Sequence, residues 1–156
     1  MKVVALASDH VGLPLKEALK AHLEARGLAW RDFGTDSAER CDYPRFAYAA
    51  VQAVIEGACG CAVLCCGTGA GMAIAANKIP GIRCVVCSEG YTAALSRAHN
   101  DANMLALGAR VVGPGLAAQI VDRFLDTPYE GGRHQRRLDL IREIELTGLL
   151  DGGEGG

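Results

Sequence analysis

Short apolar runs of strand length alternate along this chain with segments of helical period, and no other feature of the sequence constrains the fold as strongly. Residues 2–8, from Lys2 to Ser8, read as a first strand. Residues 14–26 carry Leu15, Leu19 and Leu23 at i, i+4 and i+8, with Pro14 near the start and Gly27 just past the end, which predicts an amphipathic helix. Further strands are predicted at 28–33, 61–66, 83–87 and 104–107. Helices are predicted at about 44–56, directly after a glycine loop at 67–71, and at 92–99, 116–125 and 135–146. Strands alternating with helices of this length build a mainly parallel sheet covered on both faces.

The expected architecture is therefore α/β: a single-domain, Rossmann-like, three-layer α/β/α arrangement around a five-stranded, mainly parallel sheet. It spans 1–150, followed by a Gly-rich tail at 151–156 predicted to be disordered. With 156 residues, 50% of them hydrophobic, the chain is long enough for one full core. A formal net charge of -2 with 22% charged residues lacks the basic excess that phosphate-backbone binding needs, so no nucleic-acid partner is expected. The apolar stretch before Asp9 and His10 is too short for a signal or membrane segment, and a cytoplasmic protein is expected. Seven cysteines are an odd number, and Cys59, Cys61, Cys65, Cys66, Cys84 and Cys87 lie in or beside apolar runs rather than at the spacings of a disulfide scaffold. Reduced thiols are expected.

Open parallel sheets bind ligands beyond the carboxyl ends of their strands, so polar side chains should gather there. Strand one ends in Asp9-His10, strand three in Cys66-Gly67-Thr68-Gly69, and the segment before strand five carries His99-Asn100-Asp101. Alternating glycines at 67, 69 and 71 fit either of two roles, a tight strand-to-helix turn or a loop whose N–H groups meet a phosphate or developing oxyanion. Cys66 is the last residue of its strand, against a helix N-terminus whose partial positive charge favours a reactive thiolate. Cys65 should face the opposite side of the sheet as a small apolar filler, the reading also given to Cys59, Cys61, Cys84 and Cys87. Arg133, Arg136 and Arg137 stand at a predicted helix start, where the helix dipole disfavours cations. Arg133 and Arg137, at i and i+4, either clamp an anion together or form a solvated patch. Glu89 suits a dinucleotide ribose, yet Met72 occupies the place of the last glycine in that fingerprint, which disfavours nicotinamide binding. His10, His22 and His99 each also suit a bland role at the surface.

Taken together, Ser8-Asp9-His10-Val11-Gly12, Asp42-Tyr43-Pro44, Cys66-Gly67-Thr68-Gly69-Ala70-Gly71, Ala75-Ala76-Asn77-Lys78, the run 83–89, Ser96-Arg97-x-His99-Asn100-Asp101-x-Asn103 and Tyr129-Glu130-Gly131-Gly132-Arg133-His134 closely resemble the ribose-5-phosphate isomerase B family, which includes allose- and galactose-6-phosphate isomerases. The resemblance runs from about residue 2 to 145 in the same order. It implies an aldose-ketose isomerase acting on a sugar phosphate through an enediolate, with Cys66 as the base that moves a proton between C1 and C2. It implies that loop 67–71, including Gly67, Gly69 and Gly71, binds the enediolate oxygen with help from Thr68, and that His99 opens the furanose ring. Asp9 would meet the sugar, and Asp42 and Tyr43 would line the pocket. His10, Arg133, Arg137 and Arg110 would contact the phosphate. The family builds its site across a two-fold dimer, with the segment matching His99 and Asn100 supplied by the neighbouring chain, so a homodimer or homotetramer with shared sites is implied.

Some relatives carry a glutamate at the position of Met72 as the base, and a thioether cannot take that part. Ala7-Ser8 stands where many relatives have Gly-Cys. No metal or organic cofactor is expected, and no set of Cys and His has convincing zinc-ligand spacing. Two alternatives stay beside the ribose 5-phosphate reading: an allose-6-phosphate or other hexose-6-phosphate isomerase, and a noncatalytic sugar-phosphate binding module. Cys66, Thr68 and His99 occurring together argue against the latter.

Overall fold

Alternation along each strand divides the apolar residues between two faces of one sheet, and the helices cover both. The computed structural model describes residues 3–150, so the predicted tail at 151–156 and Lys2 of the first predicted strand lie outside the described residues. The order is β1 (Val4–Ser8), α1 (Leu13–Ala25), β2 (Trp30–Asp32), α2 (Tyr43–Ile55), β3 (Cys61–Cys66), α3 (Ala70–Ala76), β4 (Cys84–Val86), α4 (Gly90–Asn100), β5 (Met104–Gly108), α5 (Pro114–Asp126) and α6 (Arg133–Thr147). All five strands are parallel in the order β2-β1-β3-β5-β4. The predicted α/β fold with a five-stranded parallel sheet is what the chain adopts. Strand order reverses between β1 and β3, which makes the carboxyl ends of these strands the natural binding crevice.

On one face Leu6, Val63, Cys65, Leu105 and Leu107 pack under α1 and α5 through Leu15, Leu19, Leu23, Ile120, Val121 and Phe124. On the other, Ala5, Ala7, Ala62, Leu64, Cys66, Met104 and Ala106 pack under α2 and α3. Small residues on this second face let the short α3, with Met72 fully buried, sit close to the sheet. The helices α4, α5 and α6 each begin two residues earlier than predicted, and for the last two the backbone shows why. Pro114 opens α5 because its fixed φ suits a first helical turn, and α6 starts at Arg133 because the turn ends at Gly132, whose φ is 55°.

Two asparagines of the family motifs prove to be braces for the edge strand β4. The Asn77 amide donates to the Cys84 carbonyl and accepts its N–H, each at 2.8 Å. Asn103 accepts the Arg83 N–H at 2.9 Å and donates to the Gly81 carbonyl at 2.8 Å. A strand of only three residues has few ladder bonds of its own, so these four contacts set where β4 begins. Glu89 is likewise explained by local structure: it caps α4, accepting the Thr92 N–H at 3.0 Å, and this hydrogen bond lowers its carboxyl below the ordinary value. His22 pairs with Asp122 at 2.7 Å between α1 and α5.

Candidate active site

Register places three strand ends side by side. Ser8 pairs with Cys65 and Cys66 with Gly108, so Asp9 emerges next to Cys66 at the carboxyl edge. Because successive side chains alternate, Cys65 enters the core under α1 and α5 while Cys66 faces α2 and α3, as predicted. Burial pushes the Cys65 thiol far above its ordinary value, with the neighbouring Cys66 adding to the effect, so Cys65 stays a neutral core residue. Burial pushes Cys84 up to about 12 and Cys87 up to about 11, and it raises Cys59 as well, which fits their reading as fillers.

Cys66 is held differently. Its Sγ accepts the backbone N–H of Gly69 at 3.1 Å, the strand-to-helix turn having folded back over the sulfur. That turn requires φ of 82° at Gly69, a left-handed conformation. A Cβ there would also lie 3.1 Å from the Leu107 carbonyl carbon, so the loop sits directly on β5. The exposed Thr68 accepts the Ala70 N–H at 3.3 Å.

Other predicted residues close around this turn. A Cβ on Gly71 would come within 2.5 Å of the Tyr43 ring, so Tyr43, the first residue of α2, lies against the loop, with Asp42 as the N-cap beside it. The Arg110 N–H donates to the Gly67 carbonyl at 3.0 Å, and its guanidinium passes over Gly67. Asp9 is 6% exposed and accepts the Gly12 N–H at 2.9 Å, which fixes its carboxylate at the start of α1. His10 Nδ1 accepts the Cys41 N–H at 3.3 Å, so the neutral ring carries its proton on Nε2 and offers that edge as a donor. Asp9, His10, Asp42, Tyr43, Cys66, Gly67, Thr68, Gly69, Gly71 and Arg110 thus form one group.

His99, Asn100, Arg133 and Arg137 do not join it, which corrects the expectation that all polar groups gather at the carboxyl edge. α4 runs back from β4 toward the start of β5, so its last residues reach the amino edge. With a rise of about 3.3 Å per residue, the five residues of β5 put roughly 15 Å of sheet between His99 and Cys66. α6 packs beside α4 at the same edge. There, Arg83 donates to the carbonyls of Asn100 and Asp101, both at 2.8 Å, and Arg97 bonds the Asp101 carboxylate at 3.1 Å. Together they hold the left-handed turn at Asp101, φ 43°, that presents His99 and Asn100. Arg83 lay inside a family motif, yet nothing in its spacing revealed this bracing.

Two more residues at this edge went unassigned in the sequence. The His134 ring stacks on His99 with centroids 4.2 Å apart and planes 12° from parallel, and Glu130 Oε2 lies 3.3 Å from His134 Nε2 and 3.8 Å from His99 Nε2. One ligand atom from each of the three lies within 4.8 Å of the others, the spacing of a cation site. Near-parallel rings direct their in-plane lone pairs side by side, however, whereas a tetrahedral ion needs them to converge. Glu130 and His134 stand at i, i+4 inside the motif from Tyr129 to His134, yet neither signal placed them against His99.

Comparison with known proteins identifies the family. A family model described as Ribose/Galactose Isomerase matches residues 4–141. Ribose-5-phosphate isomerase B of Escherichia coli K12 is 54% identical over 145 residues, covering 93% of this chain and 97% of the relative. Among solved structures, ribose-5-phosphate isomerase B of Clostridium thermocellum superposes with a TM-score of 0.92 at 48% identity, covering 94% of this chain and 99% of the other. The ribose-5-phosphate isomerase B of Mycoplasma genitalium, solved with bound ribulose-5-phosphate, gives 0.88 at 39% identity, covering 93% and 97%. The chain belongs to the ribose/galactose isomerase family.

Proposed function

We propose that this chain, as a member of that family, interconverts ribose 5-phosphate and ribulose 5-phosphate, with Cys66 as the base. The observation that carries the residue assignment is the Cys66 sulfur lying under the Gly69 N–H at the head of the glycine loop. After ring opening, the Cys66 thiolate removes the proton from C2, and the C2–H electron pair becomes the C1=C2 bond of an enediolate as the carbonyl oxygen on C1 takes the negative charge. The same sulfur returns the proton to C1, while the hydroxyl proton on O2 moves to O1 and C2 becomes the carbonyl. Loop N–H groups at 67–71 face the developing charge, and Thr68 assists from the rim; such preorganised donors each contribute about 3 to 4 kcal/mol in comparable sites. Asp9 holds the sugar, and Asp42 and Tyr43 wall the pocket. His10 and Arg110 meet the phosphate from one side.

Ring opening by His99 and the remaining phosphate contacts of Arg133 and Arg137 require a second copy of the chain, because these residues sit at the amino edge. We therefore assign a homodimer or a homotetramer of such dimers, in which the amino edge of one chain covers the carboxyl edge of the next and Asn100 reaches the sugar beside His99. Exposed apolar side chains on the edge strand β4 and on α3, Val86 at 44% and Ile74 at 62%, fit burial between copies.

The test combines two chains: one carrying Cys66→Ala, the other Arg133→Ala with Arg137→Ala. Each alone should be nearly inactive on ribose 5-phosphate. If sites form between chains, each mixed dimer regains one intact site, and equal refolded mixtures should recover about a quarter of wild-type activity from random pairing in a two-fold dimer. No recovery would refute the shared site, and an active Cys66→Ala chain would refute the base.

A further inference from the structure

We propose that His134 and Glu130 are positioning residues for His99: His134 fixes the plane of the His99 ring by stacking on it, and Glu130 fixes its rotation by attracting the Nε2 edge. The inference rests on the reading of His99 as the ring-opening residue. His134 is 4% exposed, and its Nε2 is a buried nitrogen with no hydrogen bond aligned to it among the described residues. Polar atoms buried in this way cost stability, and a functional role is one reason to retain them. Glu130 lies 3.3 Å from that nitrogen but off its axis, so its pull is electrostatic rather than that of a directed bond.

Backbone geometry shows how the group is built. Gly131 and Gly132 have φ of 64° and 55°, and this pair of positive φ angles swings the first turn of α6 back onto the last turn of α4. The Glu130 N–H donates to the Ala98 carbonyl at 2.9 Å, which ties the turn to the residue preceding His99. One face of the His99 ring is thereby covered by His134 and one edge by Glu130, while the side chain keeps 34% exposure toward the surface where a substrate from the neighbouring chain would lie. Stacking allows the ring to slide but not to tip, and the carboxylate selects between the two flipped orientations. An imidazole at the end of a helix would otherwise sample several rotamers, and a misplacement of about 1 Å in a general acid or base can cost on the order of a hundredfold in rate.

Such a role predicts a defect confined to substrates that must be opened. A four-carbon aldose phosphorylated on C4 has no free hydroxyl with which to close a furanose, so it bypasses His99. His134→Ala, lacking the stacked ring, should lower kcat on ribose 5-phosphate about tenfold, within the range of positioning effects, with KM and the rate on the four-carbon sugar changed less than about twofold. His134→Phe, which keeps a flat ring of similar size, should recover most of the loss, and Glu130→Gln should show the same substrate split. His99→Asn, measured alongside, separates the two readings. If His99→Asn slows only the ring-closed sugar while His134→Ala slows neither or both equally, the positioning role is overturned and the ring-opening role stands. If His99→Asn slows both equally, both fall.

Discussion

Replacing Gly69 with alanine joins the fold and the chemistry at one atom. A Cβ at φ of 82° costs about 1 to 2 kcal/mol in backbone strain alone. It would also stand 3.1 to 3.2 Å from backbone atoms of Leu107 and Ala106, both fully buried in the interior strand β5, so the loop rather than the strand must yield. Overpacking of this kind adds about 1 to 3 kcal/mol. Gly57 provides the control, since its φ is 75° with nothing within 4 Å of an added Cβ, so Gly57→Ala should show the strain term alone. Gly69→Ala is therefore expected to unfold at lower urea than Gly57→Ala, by about 1 to 3 kcal/mol, while still folding. Lifting the loop off β5 also withdraws the Gly69 N–H from the Cys66 sulfur, and losing a hydrogen bond to a charged group, worth about 1.5 to 3 kcal/mol, should lower kcat about ten- to a hundredfold. Urea unfolding and isomerase kinetics on both variants test this. Equal destabilisation of the two, or a Gly69→Ala enzyme within threefold of wild type, would refute the account of the loop.

Four other substitutions test three separate links. Cys66→Ala should abolish turnover, whereas Cys65→Ala should keep it and lose about 1 kcal/mol of stability to a small cavity; comparable activity losses would refute the facing assigned to the two sulfurs. Arg137→Ala should weaken ribose 5-phosphate about ten- to a hundredfold, as expected for a charge-assisted bond, and leave unphosphorylated ribose unchanged; equal effects on both sugars would exclude a phosphate contact. Asp32 bonds the fully buried Lys16 at 2.8 Å. Burial raises its carboxyl, but the hydrogen bonds from Lys16 and Lys20 outweigh this and hold it below the ordinary value. A depressed carboxyl adds stability above its unfolded value near about 4 and loses it as pH falls through the folded value, so Asp32→Asn should be less stable at pH 7 and converge on wild type in acid. A stability gap that stays constant between pH 7 and 2 would contradict this.

Much of the carboxyl-edge group was legible because period-two alternation and strand ends are local properties. The facing of Cys65 and Cys66 follows from β3 being buried on both faces, and the glycine loop follows from a strand meeting a helix without a spacer. Asn77, Asn103 and Arg83 carried equally clear motif signals, yet they brace β4 and the turn at Asp101. A polar residue that holds an edge strand and one that holds a sugar have the same composition and spacing. The stacking of His134 on His99 was not legible, since it arises where two helices distant in sequence cross, and no period relates them.

The edge to which His99 belongs was, by contrast, implied by chain direction. In a parallel sheet the residues after a strand lie at its carboxyl end and those before the next strand at its amino end, so His99-Asn100, preceding β5, belong opposite Cys66. The same logic accounts for the position of the arginines. α6 begins with Arg133 and has no acidic residue in its first turn, although positive charge at a helix start costs about 0.3 to 1 kcal/mol. That arrangement destabilises an isolated chain slightly, and an anion brought by a neighbouring copy, as proposed above, would relieve it. A phosphate held between His10 of one chain and Arg133 and Arg137 of another would therefore favour association as well as binding. One dianion would then answer both the charge at the start of α6 and the separation of the two halves of the site.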